Sequence, residues 1–224
     1  MLDNRLKAVA DFVPAGAKVA DIGTDHAYLA MYLYQQDQSR QVIAGDKNAG
    51  PCEAARKTLG EADLQEIISV RQGDGLAVVQ PGEADTVCIA GMGGKLIADI
   101  LEAGPEVLAG LKYAILKPQN AFAELRGWLY DHDWHIAKES LAKSEGRIYQ
   151  ILLAVPGKAP KPDDMELLLG PVLMAERPKL FSEHVANNIA MVQRVLQGLQ
   201  KSRQDVAGKK QVLEERIARL KELL

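Results

Sequence analysis

Apolar and polar positions alternate along the first two-thirds of the chain in blocks. Short, nearly continuous apolar runs occupy residues 18–22, 42–46, 67–72, 85–91 and 113–117, each bounded by polar or glycine-containing stretches. Runs without a polar face predict strands buried on both sides, as in a parallel sheet. The intervening residues 28–35, 51–59, 95–102 and 122–131 carry patterns compatible with helices. Alternation of this kind predicts an α/β fold with right-handed crossovers of one helix each.

The pattern changes after residue 131. Two extended runs, 134–141 and 149–155, are separated by the polar, glycine-containing segment 142–148, too short to hold a crossover helix. They predict an antiparallel hairpin closing the sheet. Five parallel strands followed by such a hairpin is the layout of a class I, Rossmann-like methyltransferase. Proline and glycine then cluster at residues 156–162, which predicts a boundary between a domain of residues 1–156 and a second of residues 157–224. In the second, Val185, Ile189, Val192, Leu196 and Leu199 step by three and four. Val206, Leu213, Ile217, Leu220 and Leu224 continue the spacing. This predicts an α-helical coiled-coil domain, either one long helix or a hairpin turning within the polar run 200–205.

Composition alters this picture little. Apolar residues make up 47% and charged residues 25% of the 224, ordinary for a soluble globular chain. No apolar run approaches the roughly 20 residues that span a bilayer, and the first residues show no secretory pattern, so a cytoplasmic protein is expected. Cys52 and Cys88 have no metal-type spacing and read as inert thiols. His26, His132, His135 and His184 do not form a metal set; the last three read as surface or hairpin residues. Charge is unevenly spread. Residues 1–155 carry 15 basic and 21 acidic side chains, residues 156–224 carry 12 and 9. A basic tail on an acidic body suits contact with a phosphate backbone, or is simply a solvated helical face. The same helices offer a surface for oligomerisation.

The residues suited to chemistry cluster at strand ends, where open α/β sheets bind ligands. Asp21-Ile22-Gly23 ends the first strand, and Thr24, Asp25, His26, Tyr28 and Leu29 follow. Glycine permits close backbone approach and the next helix offers free N–H groups to a carboxylate. Asp25 would repel a pyrophosphate but attract ammonium and sulfonium groups, so the loop favours S-adenosyl-L-methionine over a dinucleotide. Asp46, with Lys47 beside it, ends the second strand and is placed to accept from a ribose diol, or to cap the next helix. Asp74, between Gly73 and Gly75, could accept from the exocyclic amine of adenine, or form a tight turn. Ala90-Gly91-Met92-Gly93-Gly94 ends the fourth strand, where glycines would let a flat base approach the methyl group beside Met92, or merely open a helix. An Asn/Asp-Pro-Pro-aromatic motif, common in amino-methylating enzymes, is absent there.

Together the segments Arg5-Leu6, residues 21–29, Ala44-Gly45-Asp46 with Gly50-Pro51, Arg71 with residues 73–76, residues 89–94, Leu125-Arg126 with Trp128-Leu129, and Tyr149-Gln150-Ile151 resemble the bacterial tRNA (adenine(22)-N(1))-methyltransferase family, TrmK. The resemblance spans nearly the whole chain and implies a tRNA-binding enzyme that moves a methyl group from S-adenosyl-L-methionine to N1 of adenine 22. Where the family usually reads Leu-Gln-Pro-Asn, this chain has Leu116-Lys117-Pro118-Gln119-Asn120. Asp25, Met92 and Pro118 are the candidates for residues at the reacting atoms. Adenine N1 is a neutral nucleophile, so alignment rather than base catalysis is expected, with Asp25 and His26 the candidates if a base is required. Two other readings remain open on the sequence: another RNA or small-molecule methyltransferase on the same fold, and a non-catalytic RNA-binding protein with a residual cofactor site.

Overall fold

The computed structural model describes residues 2–200 and 207–224. Its elements run α1 (Asn4–Ala10), β1 (Lys18–Ile22), α2 (Tyr28–Gln36), β2 (Gln41–Asp46), α3 (Ala49–Glu61), β3 (Ser69–Gln72), a 3-10 turn at Gly75–Val78, β4 (Thr86–Ala90), α4 (Gly94–Glu102), α5 (Pro105–Leu108), β5 (Tyr113–Lys117), α6 (Phe122–Asp131), β6 (Trp134–Ser144), β7 (Arg147–Pro156), α7 (Asp164–Leu169), α8 (Pro171–Glu176), α9 (Phe181–Gln200) and α10 (Ala207–Lys221). The strands form one seven-stranded sheet in the order β3-β2-β1-β4-β5-β7-β6. The first five are parallel, and β7 joins β5 antiparallel. The predicted class I layout is therefore present.

Alternate residues of the central strands enter opposite cores. In β4, Val87 and Ile89 face one apolar layer while Cys88 faces the other; in β5, Ala114 and Leu116 oppose Ile115. Two-sided burial explains the continuous apolar runs in the sequence. The hairpin is longer than predicted. Pairing of β6 with β7 continues to Ser144 opposite Arg147, leaving only Glu145 and Gly146 in the turn, both at positive φ. That backbone matches the strand twist and lets the pairing extend through most of the polar segment.

Helix α1 was not predicted. Its N-cap, Asp3, accepts from the Leu6 backbone N–H at 2.9 Å. The second compact unit also begins later than the proline and glycine cluster suggests: the units are Met1–Val172 and Leu173–Leu224. Beyond the cluster, α7 returns to the first unit because Arg126 holds it there. Arg126, fully buried on α6, donates to Leu167 O on α7 at 2.9 Å, to Glu139 Oε1 on β6 at 2.6 Å and to Gln150 Oε1 on β7 at 2.7 Å. The second oxygen of Glu139 accepts from Val172 N at 3.0 Å. Gly170 has no side chain because a Cβ there would lie 2.5 Å from Glu139 Oε2.

In the second unit α9 and α10 pack on one another. Val185, Ile189, Val192, Ile217 and Leu220 are buried, as the three-and-four spacing predicts. Leu224 lies past the end of α10 and is 62% exposed, so the apolar seam stops before it. Val206 and the predicted turn lie largely outside the described residues. His184 is another correction: it is buried on α9 against Phe181 rather than at the surface, since its position shares the inward face with Val185. Among the described residues no helix is long and apolar enough to cross a membrane. Cys52 and Cys88 are free and buried.

Removing Arg126 takes the guanidinium away from a buried carboxylate, a backbone carbonyl and the Gln150 side chain at once. Arg126→Ala is expected to lose about 3–5 kcal/mol of stability, read as a lower urea midpoint.

Candidate active site

The strand register sets which loops meet. Ile22 pairs with Ile89, and Ala90 with Lys117, so the loops after β1, β4 and β5 emerge side by side. The β1 loop is anchored to β2, with Gly23 N and Thr24 N both donating to Gly45 O at 2.8 and 3.0 Å. The loops after β4 and β5 are joined across their length. Gly91 N donates to Lys117 O, Gln119 N to Met92 O and Gly94 N to Asn120 O, at 3.2, 2.9 and 3.0 Å. The Gln119 side chain adds a bond to Gly91 O at 2.6 Å.

These contacts explain much of the glycine cluster. A Cβ on Gly94 would collide with Ala121 O, and one on Gly93 would lie 2.8 Å from Asn120 Oδ1. Both glycines serve loop-to-loop packing. Gly75 is likewise pressed against Ile100. Gly23 is different: its φ of +79° favours glycine, and a Cβ would run into Met92 Cε. Met92 thus lies directly over the β1 loop. Pro118 is buried within the joined β5 loop.

A cavity of about 850 Å³ opens at these strand ends. Of the residues singled out in the sequence, its wall includes Asp21, Gly23, Thr24, Asp25, His26, Tyr28, Leu29, Ala90 and Gly91. Asp46, Lys47 and Asp74 form a neighbouring group at the ends of β2 and β3, outside the cavity wall. Lys47 pairs with Asp74 at 2.7 Å, and Asp46 Oδ1 accepts from Asn48 N and Nδ2 at 2.7 and 3.2 Å, which engages one oxygen of its carboxylate in the turn before α3. Asp25 is exposed, and His26 stacks on Tyr28 with ring centroids 5.3 Å apart.

Several wall residues were not singled out as site residues in the sequence. Leu2, Asp3, Arg5 and Leu6 come from the start of α1, and Met31, Tyr32 and Gln35 from α2. The capping Asp3 was the available sign that a helix begins there. Lys117 is also on the wall, although its side chain is only 1% exposed. Its Nζ lies 4.8 Å from the centroid of the Tyr149 ring and has no hydrogen-bond partner among the described residues.

Asp21 is buried with the Thr24 hydroxyl as its hydrogen-bonding neighbour, and burial pushes its pKa up to about 6 against the lowering effect of that bond. The folded protein therefore retains a proton on Asp21 between about pH 4 and 6 that the unfolded chain releases. Stability from this group is lost as pH rises through that window. Asp21→Asn is expected to stabilise the ligand-free protein by up to about 3 kcal/mol at pH 7, with the gain disappearing below about pH 4. Urea titrations of both proteins across this range measure the difference. Asp37 and Glu83, held down near 2 by the Ser39 hydroxyl and the Arg71 guanidinium respectively, act at lower pH and cancel in the comparison.

A family model described as tRNA (adenine(22)-N(1))-methyltransferase, TrmK, matches residues 19–222. A Bacillus subtilis (strain 168) protein of that name is 37% identical over 231 residues, covering 100% of this chain and 97% of the relative. The crystal structure of Bacillus subtilis TrmK superposes with a TM-score of 0.89 at 35% identity, covering 100% of this chain and 98% of that one. A Streptococcus pneumoniae protein in complex with S-adenosyl-L-methionine gives a TM-score of 0.89 at 35% identity, with both chains fully covered. The β1 loop, the β4 glycines and the full-length agreement in sequence and fold lead to one assignment: the chain belongs to the tRNA (adenine(22)-N(1))-methyltransferase family.

Proposed function

We propose that the chain transfers a methyl group from S-adenosyl-L-methionine to N1 of adenine 22 in tRNA. The observation that carries this reading is the single cavity shared by the Asp21–Leu29 loop, Ala90-Gly91 and Lys117. Donor and acceptor can meet there without a second site. Family membership supports the same chemistry. The residues fit the cofactor: a buried carboxylate with a lone hydroxyl neighbour suits a cationic amino group, and the cavity volume is in the range for a ligand of this size.

When bound, the cofactor supplies a methyl group activated by a sulfonium. Asp21 and Asp25 put negative charge on the wall that receives its cationic groups. Backbone N–H groups at the start of α2 would hold the carboxylate of the methionine half. Beside the cavity, the second oxygen of Asp46 would accept from the ribose diol, and Asp74 from the adenine amine while it retains Lys47. The open surface of Gly91 lets a planar base come close. Adenine N1 needs no deprotonation, so the protein contributes chiefly alignment. The base must first leave its stack, at a cost of about a few kcal/mol. Cytoplasmic residence follows from a tRNA substrate.

Basic residues of the C-terminal helices supply phosphate contacts that offset this cost. Lys209 and Lys210 on α10 are suitably exposed or half-exposed. Replacing both by Glu is expected to weaken tRNA binding and to flatten the slope of log K against log salt by about one to two, while cofactor affinity holds. This test spares α7, which truncation at residue 157 would remove from Arg126. Identical salt slopes for both proteins would exclude Lys209 and Lys210 from the interface.

The reaction itself is tested with labelled cofactor and two unmodified tRNAs that differ only in adenine or guanine at position 22. Label is expected on the first alone, mapped to N1. Equal labelling of both would rule out the assigned position.

A further inference from the structure

A buried amine without a hydrogen-bond partner is unusual enough to require a reason. The Lys117 side chain has three N–H donors when charged or, if neutral, two N–H groups and a lone pair; none of them has a hydrogen-bond partner among the described residues. Leaving such a group dry costs folding free energy. Nor is the amine remote from chemistry. Lys117 lines the cavity at the end of β5 with its amine enclosed, and its backbone is paired with Ala90 and bonded to Gly91. A Lys at such a place is either a defect or waits for a ligand.

We infer that Lys117 meets the target base directly: its amine accepts a hydrogen bond from the exocyclic N6 amino group of adenine while N1 faces the methyl donor. The inference rests on the methyl-transfer reading above and names the residue that recognises the acceptor. Burial and the Arg5 guanidinium favour the neutral, accepting form, against the attraction of the Tyr149 ring face for an ammonium. Burial first, and then the Arg5 guanidinium, lower the pKa of Lys117, against a smaller opposing pull from Asp3. Arg5 itself is tied to Asp3 at 2.8 Å. The Tyr149 ring covers another side, and Asp21, Asp25 and His26 lie on the β1 loop of the same cavity.

The neutral amine acts where charge develops. The N1 lone pair forms a bond to the methyl carbon as the carbon–sulfur bond breaks, and that bond's electron pair goes to sulfur. Sulfur becomes a neutral thioether, and the positive charge passes to the N1–C6–N6 unit of adenine. The N6 hydrogens become stronger donors at that moment, so a neutral acceptor strengthens its bond in the transition state. An ammonium at the same place would oppose the charge. No proton needs to leave the base.

The test compares the full-length wild type with Lys117→Met and Lys117→Gln. Rates are measured at saturating cofactor and tRNA from about pH 7 to 9, below the ordinary lysine pKa. Wild-type kcat is expected to rise with pH. Lys117→Met should lower kcat about tenfold, the loss of one good hydrogen bond, and abolish the rise. Lys117→Gln, which keeps an acceptor that does not titrate, should recover much of the rate with a flat profile. Cofactor affinity by calorimetry should stay within about twofold in both variants. The Met variant should also melt higher, by about 3 °C or more, because the unpaired amine is gone; a merely structural lysine would give a lower melting temperature. Parental kcat and pH profile in Lys117→Met would overturn the assignment, as would a wild-type rate that falls with pH, or a selective loss of cofactor affinity. Absence of methyl transfer by the wild type would instead remove the enzymatic reading itself.

Discussion

A parallel sheet covered by helices on both faces has no exposed face of its own, so its polar chemistry must emerge where the strands end. That constraint governs this molecule. Val87, Cys88 and Ile89, like Ala114, Ile115 and Leu116, are consumed by the two cores, and the first positions free to meet a ligand are those just beyond. Parallel pairing then aligns the ends of β1, β4 and β5 by register. Three loops distant in sequence are brought to one cavity by the backbone register of their strands. Gly23, Gly91 and Lys117 stand together because their strands end together.

The joined β4 and β5 loops give this arrangement its precision. Four hydrogen bonds fix residues 91–94 against residues 117–120, and Gly94 leaves the space that Ala121 O occupies. A glycine run at a ligand-binding edge thus has two kinds of member. Gly93 and Gly94 hold one loop against another, whereas Gly91 remains on the cavity wall. The sequence alone presents them as equivalent, because close approach to a backbone and close approach to a ligand demand the same residue.

The sheet was legible because its apolar runs have abrupt edges. Strands β1 and β5 and helix α6 have the bounds predicted for them, each delimited by a charged residue, a proline or a loop. Short elements were less visible: α1 has seven residues, too few for a helical period to declare itself. The hairpin turn carried only Gly146 as a cue, so the polar strand ends beside it read as loop. The domain boundary was misplaced for a different reason. Proline and glycine mark where regular structure pauses, and they do not report whether the chain then leaves the domain or returns. Least legible were Lys117, Arg126 and His184. Charged or polar residues are ordinarily solvated, and the enclosure that makes these three unusual is assembled from residues far away in sequence. Within the candidate site, the strand-end acids and glycines could be read from local pattern, while Lys117 and the α1 side of the wall required the tertiary structure.

The guanidinium–carboxylate pair buried among α6, β6, β7 and α7 has an evolutionary consequence. Residues 126, 139, 150 and 170 form a set in which each is tolerable only because of the others: the carboxylate needs the guanidinium, and both need the missing side chain of Gly170. An apolar replacement of the whole set could pack equally well. Reaching it by single substitutions, however, passes through intermediates with an exposed energetic deficit, so the effects at these positions are strongly non-additive. Descendants of this sequence should keep the set intact or exchange it nearly at once, and drift elsewhere on the sheet can proceed without disturbing it.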